Sequence, residues 1–232
     1  MLTLAGIAKR FGGIEALTGI DLAVPAGSLL GLIGPNGSGK TTLLNVVSGF
    51  TAPDAGEVRI GATEVTGWPP HRIARLGVGR TLQHPRVFSR LTVLDNIRGD
   101  SRLSAGEAEA LLDRFGLSAQ RGRLGDELTI GELRRLDLAR AVARDPRLLL
   151  LDEPAGGLTP SETSAMADLL SREVLPGRTG ILIEHKMDLI AALCPCVVVL
   201  DFGRRIAEGA PSEVLRRPEV VEAYFGTEGA DA

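Results

Sequence analysis

"GPNGSGKT", residues 34–41, stands between the apolar run SLLGLI and TLLNVVSGF, whose apolar residues recur at helical spacing. It fits the pattern Gly, four residues, Gly, Lys, then Ser or Thr. Between a strand and a helix, this pattern predicts a loop whose backbone N–H groups surround a phosphate at the positive end of the helix. The stretch therefore predicts an α/β fold with a nucleotide site where this strand ends.

Each type of residue in this loop has an expected task. The glycines at 34, 37 and 39 let the backbone turn inward without a Cβ. Lys40 reaches the terminal phosphates, and Thr41 holds magnesium through its hydroxyl. Lysine occurs only three times in the chain, so its presence where a flexible ammonium is needed argues against a glycine-rich turn without a ligand. The candidate nucleotide-binding residues here are Gly34, Pro35, Asn36, Gly37, Ser38, Gly39, Lys40, Thr41 and Thr42.

Other short apolar runs predict the rest of the sheet. RLLLLD, GILIE and CVVVLD are leucine-rich or β-branched and end at turn residues, as is typical of buried parallel strands. LTLAGIAKRF and GIDLAVPAG alternate and predict antiparallel strands, and VVVLDFGRRIAEGAP predicts a hairpin that turns at Phe202 and Gly203. We expect a parallel core sheet covered by helices, with an antiparallel β subdomain.

A shift in composition predicts a small helical subdomain. Between about residues 90 and 128 the chain is rich in Ser, Ala, Glu, Arg and Leu. Ser104 and Glu107 have the spacing of a capping box ahead of AEALLDRF. We expect one domain over residues 1–232, with a helical subdomain inserted at about residues 90–140.

Two acidic residues follow the run of four leucines. Asp152 ends that predicted strand, where it can meet the magnesium held by Thr41. Glu153 can orient and deprotonate the water that attacks the γ-phosphorus. A simple turn before Pro154 would explain one acidic residue but not two in tandem.

Composition limits the classes of function. A net charge of −3 and a sequence pI of about 5.7 argue against a nucleic-acid partner. No apolar run approaches the roughly 20 residues that span a bilayer, and the N-terminus lacks the order of a signal peptide. We therefore expect a cytoplasmic location. Cys194 and Cys196 are too few for a disulfide framework, and a buried apolar stretch is the favoured interpretation over a metal site.

Four further stretches carry a family resemblance. With Gln83 in RTLQHPRVF, LTIGELRRLDLAR at 128–140, LLLLDEPAGGLTP, and His185 in ILIEHKMDL, the chain resembles an ATP-binding cassette (ABC) ATPase over nearly its whole length. The resemblance implies the ABC ATPase fold, a RecA-like P-loop core, with ATP and Mg²⁺ as cofactors.

The resemblance also implies roles for single residues. Gln83 would link the γ-phosphate and metal to a transmembrane partner, His185 would contact the γ-phosphate, and Phe11 would stack on adenine. The candidate catalytic residues are Lys40, Gln83, Glu153 and His185, and the candidate metal ligands are Thr41, Gln83 and Asp152.

A narrower resemblance concerns transport. SGFTAPDAGEVRI, IARLGVGRTLQHPRVFSRLTVLDNI and AEGAPSEVLRRPEVVEAYFG are similar to ATP-binding subunits of branched-chain amino acid importers. This implies permease subunits and a second ABC ATPase, identical or different, as partners, with a soluble receptor acting indirectly. It also implies a peripheral position on the inner face of the cell membrane.

The stretch at 128–140 predicts a helix start. Thr129 and Glu132 have capping-box spacing, and Leu133, Leu136, Ala139 and Ala143 give one apolar face. A helix N-terminus with Gly131 is a ready anion site. In the family, this signature faces the nucleotide of a second subunit, so Thr129 and Gly131 are candidate contacts in trans.

Two residues depart from the family pattern. Ile130 replaces a glycine and adds bulk near the nucleotide, and Thr159 replaces the aspartate that many cassettes carry. We interpret the signature as modified but working.

Three alternatives stay open. A soluble ABC ATPase, acting for example in iron-sulfur assembly, translation or DNA repair, is disfavoured by a single cassette, no long coiled coil and no basic stripe. A P-loop nucleotide kinase would not need Glu153 or the helix start at 129–131. An importer of urea or amides would have much the same cassette.

Overall fold

The computed structural model describes residues 1–99 and 103–225. Its strands are β1 (Leu2–Phe11), β2 (Ile14–Val24), β3 (Leu29–Ile33), β4 (Ala55–Ile60), β5 (Thr63–Glu64), β6 (Val78–Arg80), β7 (Leu148–Asp152), β8 (Thr179–Ile183), β9 (Cys196–Asp201) and β10 (Arg204–Gly209). Its helices are α1 (Lys40–Val47), α2 (Pro70–Arg75), α3 (Val93–Arg98), α4 (Ala105–Arg114), α5 (Ile130–Val142), α6 (Pro160–Leu169), α7 (Met187–Leu193), α8 (Pro211–Val214) and α9 (Pro218–Phe225). Single 3₁₀ turns occur at Ser118–Gln120 and Gly125–Glu127, and a π-helical turn, Leu170–Val174, continues α6.

The larger sheet has six strands in the order β10-β9-β3-β8-β7-β6. Strands β9, β3, β8, β7 and β6 are parallel, and β10 joins antiparallel through the hairpin at Phe202 and Gly203. The predicted strands and hairpin are confirmed. This order brings the carboxyl ends of β3, β7 and β8 to one edge, where ligands of open α/β sheets bind.

Both faces of the central strands β3, β7, β8 and β9 are buried, which explains their continuous apolar sequences. Along β7, Leu149 and Leu151 face a core shared with the helices, whereas Leu148 and Leu150 face a core shared with the antiparallel sheet. A strand buried on both faces has no polar alternation, and the leucine run follows from that position.

The smaller sheet is antiparallel, in the order β2-β1-β4-β5. The pairing of β1 with β2 confirms the predicted antiparallel strands, and it runs from Leu2 opposite Val24 to Phe11 opposite Ile14. Strands β4 and β5 were not predicted. Together with α1, this sheet encloses the second core and packs behind the loop at 34–41.

Between β6 and β7 the described residues contain the helices α3, α4 and α5. The Ser104–Glu107 capping box is present at the start of α4, as predicted. Among the described residues, the helices are all too short or too polar to cross a membrane. Both cysteines are free thiols; Cys194 is buried and Cys196 is half-buried.

Helix α5 buries more of its surface than the predicted apolar face. Leu136 and Ala139 are buried as expected, but the polar residues Glu132, Arg134 and Asp137 are also buried. Leu133 and Ala143 are half-buried and pack against the same core, so the predicted apolar face is confirmed. The polar residues are covered as well because α5 also contacts α3 and β6.

Candidate functional site

The loop at 34–41 has a shape that only glycine permits at its key positions. Gly34, Gly37 and Gly39 have φ angles of 146°, 79° and 102°. A Cβ on Gly34 would lie 2.0 Å from the carbonyl oxygen of Leu200, and one on Gly39 would lie 2.5 Å from that of Ala16. The neighbouring strands β9 and β2 therefore hold the loop closely, and α1 begins at Lys40, within the last two residues of this stretch.

Lys40 points back into this loop. Its Nζ donates hydrogen bonds to the carbonyl oxygens of Gly34 at 2.7 Å and Pro35 at 2.8 Å. Burial lowers the pKa of Lys40, while the carboxylates of Glu153 and Asp152 oppose that shift. The ammonium thus lies inside the loop, where the sequence predicts a group that meets the terminal phosphates.

The other residues of the loop differ in how exposed they are. Asn36 and Gly37 are exposed at the tip, Thr41 is exposed at the start of α1, and Thr42 is half-buried. Ser38 is buried, and within the described chain its Oγ lacks a hydrogen-bond partner. Because Thr41 is exposed at the start of α1, its hydroxyl can contact a ligand bound at the N-terminus of that helix.

Asp152 is buried at the carboxyl end of β7 with 1% of its surface exposed. Neither carboxylate oxygen has a hydrogen-bond partner in the described part of the chain, and the nearest cation is Arg80, with Nη2 3.7 Å from Oδ2. Burial raises the pKa of Asp152 and Arg80 opposes the rise. A buried carboxylate with unsatisfied oxygens is costly alone, so this residue fits a bound divalent cation.

Glu153 is the meeting point of three loops. His185 Nε2 lies 3.0 Å from Glu153 Oε1, and Gln83 Nε2 lies 3.4 Å from both carboxylate oxygens. The Glu153 backbone has a left-handed φ of 49°, which is strained for a side chain of this type. The structure therefore brings together Gln83, Glu153 and His185, three residues that are far apart in sequence.

The Gln83 loop is held against α5 by two residues that the sequence analysis missed. Asp137 accepts hydrogen bonds from the backbone N–H groups of Leu82 and Arg86, and Arg140 Nη1 donates to the carbonyl oxygen of Arg86. Burial raises the pKa of Asp137 to about 6, against the opposing charges of Arg140 and Arg134. The signal available in the sequence was the carboxylate of Asp137 within RRLDLAR, in the predicted helix.

Asp137→Asn should change how stability depends on pH. Because the pKa of Asp137 is raised in the folded protein, the fold favours the protonated form. The wild-type free energy of unfolding should therefore fall as pH rises from about 4 to about 6, a loss that the asparagine variant lacks. We expect the variant to gain up to about 3 kcal/mol relative to wild type between pH 4 and pH 7. Urea unfolding at several pH values measures this difference, and a constant difference would contradict it.

The signature residues lie apart from the loop at 34–41. Thr129 is the N-cap of α5, and its hydroxyl accepts from the N–H of Glu132 at 3.3 Å, which confirms the capping box. Within the described residues no hydrogen bond joins Thr129 or Gly131 to residues 34–42. Ile130 is 58% exposed, and its Cγ2 lies 3.8 Å from where a Cβ on Gly157 would be.

Phe11 and Thr159 also have defined places. Phe11 ends β1 with its ring 50% exposed, and Lys9 Nζ lies 5.5 Å from the ring centroid. Thr159 is the N-cap of α6 in a capping box with Glu162. The hydroxyl of Thr159 therefore caps α6, a task that an aspartate could also perform.

Two known families match parts of the sequence. The family described as "ABC transporter" matches residues 17–156. The family described as "Branched-chain amino acid ATP-binding cassette transporter" matches residues 204–230. The first match contains the loop at 34–41, Gln83 and the Asp152–Glu153 pair.

Curated relatives match along nearly the whole length. The chain is 34% identical to the high-affinity branched-chain amino acid transport ATP-binding protein BraF of Pseudomonas aeruginosa, covering 97% of this chain and 98% of that protein. It is 35% identical to the corresponding protein LivG of Escherichia coli, with the same coverage of each.

Solved structures agree on the fold. A nucleotide-free ATP-binding cassette from an ABC transporter superposes with a TM-score of 0.87 at 30% identity, covering 97% of this chain and 99% of that one. An ATP-binding cassette in its ADP conformation gives 0.87 at 29% identity, covering 97% and 98%. The cassette fold expected from the sequence is confirmed.

Proposed function

Because the chain belongs to the ATP-binding cassette (ABC) transporter family, we propose that it is the ATP-binding and hydrolysing subunit of a membrane importer for branched-chain amino acids. The observation that carries the proposal is the meeting of Gln83, Glu153 and His185 beside the carboxyl end of the strand that precedes Lys40. An ATPase needs a phosphate cradle and a base at one edge of the sheet, and this chain has both there.

In this proposal the loop from Gly34 to Thr42 holds the phosphates of ATP, and Lys40 offsets the charge on the terminal phosphates. Glu153 accepts the proton of the attacking water, and His185 contacts the γ-phosphate beside it. Phe11 stacks on adenine with its exposed ring. Binding, charge compensation and proton transfer are thus assigned to separate groups of the chain.

Magnesium fits the remaining oxygen groups. Thr41, Gln83 and Asp152 would hold it, which would give a cation partner to the Asp152 carboxylate, whose oxygens lack a hydrogen-bond partner within the described residues. When bound, Mg²⁺ compensates the charge of the phosphate oxygens and orients them. Asp152 contributes the charge, while Thr41 and Gln83 contribute neutral oxygens.

We also propose that the site is completed by a second cassette, either a copy of this chain or a different one. Thr129 and Gly131 would contact the γ-phosphate bound by that partner, because the exposed N-terminus of α5 carries positive backbone charge. Residues at about 90–140 would form a helical subdomain that contacts permease subunits, together with the Gln83 loop. The chain would then lie peripherally on the inner face of the membrane, with a soluble receptor acting indirectly.

The substrate class rests on the relatives. The curated proteins BraF and LivG are named for branched-chain amino acid transport, and the C-terminal match at residues 204–230 carries the same description. Selectivity would lie in the permease and receptor, so the same cassette would also suit an importer of urea or amides.

Uptake by the assembled transporter tests the proposal. We expect the chain to co-purify with membrane subunits and, in proteoliposomes with internal ATP and its receptor outside, to drive accumulation of radiolabelled leucine, isoleucine and valine. Glu153→Gln in the same complex should abolish accumulation, because the transport cycle needs hydrolysis. Accumulation of urea or short amides instead would reassign the substrate, and a chain that never co-purifies with membrane subunits would support a soluble ATPase.

A further inference from the structure

Glu184 is a buried carboxylate that the proposed mechanism does not use. It directly follows β8 and is 2% exposed. Its Oε1 accepts a hydrogen bond from the N–H of Ala155 at 2.7 Å, and its Oε2 accepts one from the N–H of His185 at 3.2 Å. One side chain therefore joins the loop after β7 to the loop after β8.

We propose that Glu184 is a positioning residue that fixes Glu153 and His185 relative to one another. The two loops it joins are the ones that carry this pair, whose side chains lie 3.0 Å apart. The bond from the N–H of Ala155, at 2.7 Å, has the short length of a charge-assisted bond, so it holds the loop after β7 firmly to the residue that precedes His185. The inference rests on the proposed role of Glu153 as the base.

The backbone conformation of Glu153 explains why the bond between Ala155 and Glu184 matters. Its left-handed φ of 49° is unfavourable for a residue with a Cβ, and such conformations persist only when their surroundings hold them. The turn is closed by a bond from the N–H of Gly156 to the carbonyl oxygen of Glu153, at 3.0 Å. Glu184 anchors Ala155 in the middle of that turn, so losing the anchor should let the turn relax.

Lys186 reinforces the same connection from the other side of His185. Its Nζ donates to the carbonyl oxygen of Leu158 at 2.9 Å and also contacts Thr163 Oγ1. Residues 184, 185 and 186 thus all reach the segment 153–163 through their side chains. His185 is flanked by two fixed points, and we expect the two loops to move as one unit.

A carboxylate is specifically suited to this place. Two N–H donors face Glu184, and an ionised carboxylate accepts one bond on each of its two oxygens. A glutamine would offer one oxygen and turn its NH₂ group towards the second donor. Replacement by alanine would leave the buried N–H of Ala155 and the part-buried N–H of His185 without this acceptor.

The test compares Glu184→Ala and Glu184→Gln with wild type by single-turnover hydrolysis of ATP at saturating protein. We expect an approximately 30-fold slower rate for alanine and a smaller loss for glutamine, while the nucleotide Kd from calorimetry stays within about twofold. We expect the rate to fall while the Kd stays unchanged because the hydrogen bonds of Glu184 go to the loops of Glu153 and His185 and not to residues 34–42. A rate within about twofold of wild type in both variants would overturn the proposal.

Thr179→Val is the matched control. Thr179 is buried at the opposite end of β8, and its Oγ1 accepts from the N–H of Gly27 at 2.9 Å. This variant also removes a buried side-chain bond to backbone, so it should lower thermal stability without slowing hydrolysis. If it slows hydrolysis as much as Glu184→Ala, general destabilisation explains both results and the proposal fails.

A double-mutant cycle with His185→Ala separates positioning from folding. If Glu184 acts by placing His185 against Glu153, Glu184→Ala should cost no more than about threefold once His185 is absent. An equal loss in both backgrounds would overturn the proposal. Should Glu184→Ala fail to fold, Glu184→Gln enters the same cycle in its place.

The outcomes also separate this inference from the proposed mechanism. Glu153→Gln with wild-type turnover would remove the role of Glu153 and the reason for positioning it. An inactive Glu153→Gln beside a fully active Glu184→Ala would leave the base in place and overturn the Glu184 proposal alone.

Discussion

Glu153→Gln should hydrolyse ATP on the order of 1,000-fold more slowly than wild type while binding ATP with unchanged affinity. The amide keeps the size of the side chain and can still bond to His185, which lies 3.0 Å from Oε1 in the wild type. It also leaves the left-handed backbone of residue 153 as it was. What it removes is the basic oxygen that would take the proton of the attacking water.

Because Glu153→Gln should hydrolyse ATP too slowly to open a closed dimer, this variant also reveals how the cassettes associate. We expect its mass in solution to rise from 24.4 kDa to about twice that value when ATP and magnesium are added. Such a shift would mean that Thr129 and Gly131 bind nucleotide in trans despite the exposed Ile130. A persistent monomer that binds ATP would mean that closure needs a different cassette or the permease.

Release of phosphate measures the rate of hydrolysis, and calorimetry measures the affinity for ATP. Glu64→Gln is the control, because Glu64 is an exposed carboxylate on β5 in the other sheet and should leave turnover unchanged. Near-normal turnover by Glu153→Gln would show that another group activates the water.

The sequence predicted the loop at 34–41 and the paired acids well, because their constraints are local. The glycines, Lys40 and the leucine run before Asp152 lie within short segments whose order fixes their geometry. Strand β6 was missed for the opposite reason. Its residues, Val78–Arg80, are only half-buried at the edge of the sheet, and nothing local marks them as a strand. Its parallel pairing with β7 places the loop of Gln83 next to Asp152 and Glu153.

Asp137 and Glu184 show a second limit of sequence reasoning. Each is a carboxylate next to apolar residues, so a periodic pattern assigns neither a partner. Their partners are backbone N–H groups in loops distant in sequence: those of Leu82 and Arg86 for Asp137, and that of Ala155 for Glu184. Every residue except proline has such a group, so side-chain identity cannot reveal which ones are used.

Lys40→Ala should lower nucleotide affinity on the order of 100-fold. The ammonium is buried within the loop and makes two bonds to its carbonyl oxygens, so it is held where the terminal phosphates would lie. Hydrogen bonds that involve a charged group are worth about 1.5–3 kcal/mol each, and an effect of this size corresponds to about 3 kcal/mol. Calorimetry with ATP and with ADP measures the loss.

The loss should be larger for ATP than for ADP, because removing Lys40 leaves Asp152 and Glu153 facing the terminal phosphate with less opposing charge. Arg59→Ala is the matched control: it removes a cation whose partners, Glu57 and Glu64, lie on the antiparallel sheet, and it should leave both affinities intact. Equal losses for ATP and ADP would place Lys40 nearer the inner phosphates. Unchanged binding of both would refute the assignment of residues 34–41 as the phosphate loop, since no other lysine lies in that stretch to replace the charge.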